Sequence, residues 1–144
     1  NPNDNLGLRE ILIHTLAAAG QAEEAIAVAA RYPDDFTSTK YGCVLALFAA
    51  GRLAEAETAL RAAAVESPLV WKMLHAANPR APRINPRGVT VGGNDEAYEY
   101  RRHYLDLWRA SGALKWGAGI RITAPTAAKK SAEKPEADAN GTLF

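Results

Sequence analysis

Cysteine is almost missing from this chain. Cys43 is the only one among 144 residues, so no internal disulfide forms and no thiolate cluster holds a metal. Such usage is expected of a reducing, cytoplasmic compartment. Long apolar runs are missing too, and none approaches the roughly 20 residues of a membrane span, so no membrane partner is expected. Strand patterning is scarce: Val89-Thr90-Val91 is the best alternation and is too short to build a sheet. A charge excess is also lacking. The formal net charge is +1 at pH 7, below the electrostatic footprint of a dedicated nucleic-acid binder. With 48% hydrophobic and 23% charged residues, the composition is neither disordered nor collagen-like. The length suffices for roughly one domain.

What the chain has is alanine, in runs such as Leu16-Ala17-Ala18-Ala19 and Ala62-Ala63-Ala64. Alanine loses no side-chain entropy in a helix, so these runs predict an all-α fold. Spacing places a helix over 5–19, with Asp4 as its cap and Leu8, Ile11, Leu12 and Leu16 as a buried stripe. A second, over 22–32, turns Ala25, Ile26, Ala29 and Tyr32 inward and is broken by Pro33-Asp34-Asp35. A third, over 38–50, buries Tyr41, Val44, Leu45 and Phe48, and a fourth, over 53–66, buries Leu53, Ala56, Leu60 and Ala63. Gly20 and Gly51 stop the first helix of each pair. Ser67-Pro68 opens a short helix over 69–76. Prolines and glycines make 78–93 a long loop. A last helical segment spans 95–116, interrupted at Ser111-Gly112, with Ala97, Tyr100, Tyr104, Leu107 and Trp108 on one face. The tail, 119–144, is rich in Ala, Lys, Glu, Pro, Ser and Thr and is expected to be disordered.

Ala18-Ala19-Gly20-Gln21-Ala22-Glu23-Glu24-Ala25 matches Ala49-Ala50-Gly51-Arg52-Leu53-Ala54-Glu55-Ala56, and each copy sits at the turn of a helical hairpin. The copies lie 31 residues apart, and helical hairpins repeated at about this period resemble tetratricopeptide repeats. The second copy carries that pattern in Gly51, Ala56, Leu60, Ala63 and Pro68, with Ala56 small where the helices cross; the first copy is degenerate, with Tyr32 where an Ala belongs. Asn1-Pro2-Asn3-Asp4 looks like an inter-repeat turn, so the chain resembles the last repeats of a longer array. The segment Gly93-Asn94-Asp95-Glu96-Ala97-Tyr98-Glu99-Tyr100, followed by Trp108 and Gly112-Ala113-Leu114, is similar to the end of the suppressor-of-tumorigenicity seven family and related bacterial proteins. Asn1-Pro2-Asn3-Asp4-Asn5 and Tyr32-Pro33-Asp34-Asp35 share the likeness to the bacterial proteins; together these resemblances cover about residues 1–118 and imply a tetratricopeptide-like domain over 1–118: hairpins 5–32 and 38–66, short helix 69–76, loop 78–93 and capping helix 95–116. They imply no reaction. Some members carry a zinc module elsewhere in their chains, and nothing here matches one.

Candidate chemistry is sparse. His14, His75 and His103 fall on different predicted helices, without a second His or Cys one turn away, so neither metal nor cofactor is expected. Glu23-Glu24 and Asp34-Asp35 are adjacent in sequence, and adjacent helical residues do not face each other. No acid/base pair and no nucleophile with a base can be assembled, so an enzyme is not expected. The one asymmetry of charge is Lys72, Arg80, Arg83 and Arg87 across 68–91, a stretch without an acid. These four are the candidate partner-binding residues, since arginine forks suit carboxylates. The expected function is protein–protein interaction or scaffolding with a protein or peptide partner. The alternative is the non-catalytic part of a larger enzyme or zinc-module protein, its basic loop holding an acidic ligand.

Overall fold

A computed structural model describes residues 8–33, 36–83 and 86–123. The expected cap at Asp4, the Asp34-Asp35 break and the tail from 124 lie outside the described residues. Within them the chain is all-helical and has no strand: α1 Leu8–Ala18, α2 Ala22–Ala30, α3 Thr37–Ala49, α4 Leu53–Glu66, α5 Pro68–His75, α6 Asn94–Ser111 and α7 Ala113–Ala118.

The two matched turns close alike. After α1, the Gly20 N–H donates to the Ala17 carbonyl at 3.3 Å and the Gln21 N–H to the Leu16 carbonyl at 2.8 Å. After α3, Gly51 donates to Phe48 and Arg52 to Leu47, both at 3.0 Å. These are paired Schellman bonds, which require a left-handed residue just past the helix. Gly20 and Gly51 supply it with φ of +83° and +76°. So α1 folds back on α2, and α3 on α4; α3 also receives α1 and α2, while α6 packs chiefly on α5 and reaches α7, α1 and α3. Pro68 occupies the first turn of α5, where its missing N–H is harmless. Arg101 of α6 donates to the Met73 carbonyl at 2.8 Å, meeting the open end of α5.

The main core joins Tyr41, Val44 and Leu45 of α3 and Leu60 and Ala63 of α4 to Val70 and Leu74 of α5 and Tyr100, Leu105 and Trp108 of α6. Trp108 is fully buried and shares this core with Leu60 and Ala63, as the aromatic stripe predicts. A smaller cluster under the first hairpin is built of Ile13, Ala25, Ala29 and Ala46.

Three expectations need correction. Three of the four α1 stripe residues face outward: Leu8, Ile11 and Leu12 are 58%, 51% and 45% exposed, while Leu16 is half-buried on the small cluster and Ile13 and His14 are buried. The reason lies on α3. A Cβ at Gly42 would stand 2.8 Å from His14 Cε1 and 2.9 Å from Ile13 Cγ2, so the glycine lets these two side chains in. Leu53, in the first turn of α4, is also exposed, while Ala56, Leu60 and Ala63 of the same face are buried. The boundary at 118 falls short, because Ile120 and Ile122 pack on the main core and the Arg61 guanidinium donates to the Arg121 carbonyl.

Candidate functional site: an acid-edged aromatic groove

An open groove of about 720 Å³ runs between the leading ends of α1 and α3, loop residues 81–83 and 88–91 and one face of α6. Glu10 comes from α1, and Thr37 and Ser38 from α3, just after Phe36. The α6 side supplies Tyr98, Tyr100 and Tyr104, with Glu99 and His103 between and beside them. Val89 and Val91 project from the loop, largely exposed, as does Phe36 opposite. The walls are therefore apolar and aromatic.

The groove's edge is acidic and ordered by hydrogen bonds. Asp95 accepts the Thr90 N–H and the Glu96 N–H, both at 2.9 Å, and Glu96 accepts the Gly92 N–H at 3.1 Å. Two acids at a helix N-terminus, where negative charge is favoured, thus tie the end of the loop to α6. The Thr90 backbone bond, ahead of the other donors, holds the Asp95 carboxyl below its usual range. Glu99 meets Arg102 at 3.0 Å and His103 at 3.4 Å. The Ser38 hydroxyl donates to the Glu10 carboxylate.

Beneath the floor lies a buried polar relay. The Trp108 Nε1–H donates to the Tyr100 hydroxyl at 2.9 Å, which lies 2.8 Å from His14 Nε2; His14 Nδ1 lies 2.7 Å from the Glu10 carbonyl. The Glu10 carbonyl only accepts, so Nδ1 carries a proton, and near neutral pH the buried imidazole is uncharged, which leaves Nε2 as an acceptor. The Tyr100 O–H therefore donates to His14 Nε2, and Nδ1–H to Glu10, which is the neutral imidazole. Burial, only partly offset by the Glu10 carbonyl, lowers the His14 pKa to about 4. Tyr104 stacks on the His14 ring at 3.7 Å between centroids. Burial, and to a lesser degree the Glu10 charge, pushes the Tyr104 phenol up to about 12.

The four basic residues singled out in the sequence are not gathered here. Only Arg83 lines the groove; Arg80 and Arg87 are exposed on the loop and Lys72 is exposed on α5. Four carboxylates line the groove against one guanidinium. Among the described residues no group of three or more His, Cys, Asp or Glu is placed to hold a metal ion. Burial raises the Cys43 thiol, which disfavours its nucleophilic thiolate.

Sequence reasoning missed the groove's acids and the His14 contact beneath its tyrosines. The signal for Asp95 and Glu96 was their position just after Gly92-Gly93 at a helix start, where acids cap. Glu10 carries no local signal, since only the fold brings it opposite α6. Among the described residues no helix is long and apolar enough to cross a membrane. No family model, no curated protein and no solved structure matches this chain.

Proposed function

We propose that this chain is a protein-interaction module: a short tetratricopeptide-like stack of two hairpins, covered at one end by α6, whose groove holds a segment of a partner protein. The groove is the observation that carries this reading. It is large, open, walled by exposed Phe36, Val89 and Val91, and placed where three helices and a loop converge. The twin Schellman turns and the packing of α3 on both helices of the first hairpin support the stacked-repeat reading. Its His14 is consumed by an internal relay and its carboxylates cap backbone or pair with neighbours, which suits binding rather than chemistry of its own. Acids on the groove's edge disfavour a phosphate backbone as occupant.

The test is selection of peptides from a random display library on the intact chain. Selected peptides bind the chain and lose binding to a Phe36→Asp, Val91→Asp double variant, whose substitutions fall on exposed side chains and leave the melting midpoint unchanged. Peptides that bind this variant as well as the parent chain contradict the groove as the interaction site.

A further inference from the structure

We propose that the groove's occupant is an arginine-bearing segment of the partner, a reading that rests on the interaction function above. Two features must be met together. The walls offer the Phe36 and Tyr98 side chains and the exposed Val91. The edge offers Glu10, Asp95, Glu96 and Glu99, opposed by Arg83 and the imidazole of His103; Glu99 also pairs with Arg102 at 3.0 Å, and Glu10 accepts from Ser38. An apolar segment satisfies the walls and leaves the acids facing it. An acidic segment meets like charge along α6, where Asp95, Glu96 and Glu99 lie within two turns. Arginine satisfies both. Its aliphatic stem packs on apolar surface, its planar guanidinium lies on aromatic faces, and its fork of donors fits carboxylates.

The carboxylates retain the capacity to accept. Each offers about four lone-pair sites, so the one or two backbone bonds to Asp95 and Glu96 leave acceptor positions on the same groups. Those bonds also fix the oxygens in place before a ligand arrives, which reduces the ordering needed on binding. The chain carries its own example of the contact. The Arg9 guanidinium lies 4.1 Å from the Tyr32 ring centroid and 5.8 Å from that of Phe36, the same Phe36 that lines the groove. Lysine fits less well, because its ammonium is a compact, strongly hydrated charge that neither stacks nor forks.

The experiment titrates the intact chain into three fluorescein-labelled peptides that alternate Ser with Arg, Lys or Glu, read by anisotropy at low and high salt. The Arg peptide is expected to bind tightest, the Lys peptide roughly fivefold more weakly and the Glu peptide not at all; the Arg affinity should fall with salt, since exposed charges are screened. Glu99→Gln and Glu10→Gln together should weaken Arg binding by about tenfold while circular dichroism and melting stay as in the parent chain. Should the pair perturb folding, Glu99→Gln alone, at a partly exposed site, gives the same direction. Binding of the Arg peptide unchanged by these variants, or equal binding of the Arg and Lys peptides, overturns the proposal. Preferred binding of the Glu peptide, abolished by Phe36→Asp, Val91→Asp, overturns the arginine assignment and leaves the groove as the interaction site. Failure of all three peptides overturns the arginine assignment. The interaction reading then stands or falls separately, on whether library-selected peptides lose binding to the same double variant.

Discussion

The two ends of the molecule are built from different materials. Under α1 and α2 the buried set is Ile13 with Ala25, Ala29 and Ala46; under α5 and α6 it includes Tyr41, Leu60, Tyr100 and Trp108. Alanine allows close approach and favours helix, yet it removes little apolar surface from water, and burial stabilises in proportion to area. Large aromatics bury on the order of 150–250 Å² each. The first hairpin even leaves three of its large aliphatics, Leu8, Ile11 and Leu12, about half exposed. Its deepest tie to α6 is polar: His14 between the Glu10 carbonyl and the Tyr100 hydroxyl. Helix propensity and tertiary stability are thus separated along one chain. The first hairpin is rich in the first, and the packing of α3 and α4 on α5 and α6 supplies the second.

The sharpest way to break this comparison is Trp108→Ala. Trp108 is fully buried beside Tyr41 and Trp71, with ring centroids at 6.3 and 5.6 Å, and donates to Tyr100. Its truncation should lower the unfolding free energy by about 3–5 kcal/mol in a urea titration. A loss below about 1 kcal/mol, the level of an ordinary substitution, would show that the aromatic end does not carry the fold.

Acid tests the polar tie. The ordinary His pKa of 6.5 falls to about 4 in the folded state. An unfolded chain therefore takes up a proton in this range that the folded chain refuses, and stability is lost as pH falls from about 6.5 to 4. The shift corresponds to on the order of 3 kcal/mol. Carboxylates also titrate there, so the informative quantity is the difference from His14→Gln, whose stability should fall less steeply over the same window. Parallel pH profiles would remove His14 from the account.

Gly42→Ala should have a somewhat smaller effect, about 1–3 kcal/mol, because the new methyl meets both Ile13 and His14. Its melting midpoint should drop; an unchanged midpoint would mean that α1 shifts away without loss. At the small end stands Arg52, which joins Glu23 of the first hairpin to Glu55 at 3.0 Å on an exposed surface. Arg52→Ala should leave the melting midpoint within error, as solvent screens such pairs.

Much of the helix order was legible in the sequence because glycine and proline punctuate it. Gly20, Gly51 and Gly112 mark stops, and Pro68 marks a start. The helix over 53–66 has the bounds that its spacing predicts. Facing was less legible. The apolar spacing of Leu8, Ile11, Leu12 and Leu16 is helical whichever side is buried, and a histidine is not the residue that spacing selects for a core. The site was least legible, because its acids lie far apart in sequence: Glu10 comes from α1, while Asp95 and Glu99 come from α6. The local excess of positive charge drew attention to Lys72, Arg80, Arg83 and Arg87, and only Arg83 reaches the groove. Charge summed along a chain does not report charge gathered in space.

Native-state hydrogen exchange, resolved by residue, tests the division of the molecule most directly. Exchange free energies measure how far each helix opens on its own before the whole unfolds. Amides in the middle of α3, α4 and α6 should exchange only through global unfolding, while those of α1 and α2 should exchange through an opening of lower free energy. The His14→Gln variant should lower the protection of α1 and α2 further and leave that of α6 nearly unchanged. Equal protection across α1, α2 and α6 would contradict the account, because a hairpin packed on alanines would then be held as firmly as one packed on Tyr41 and Trp108.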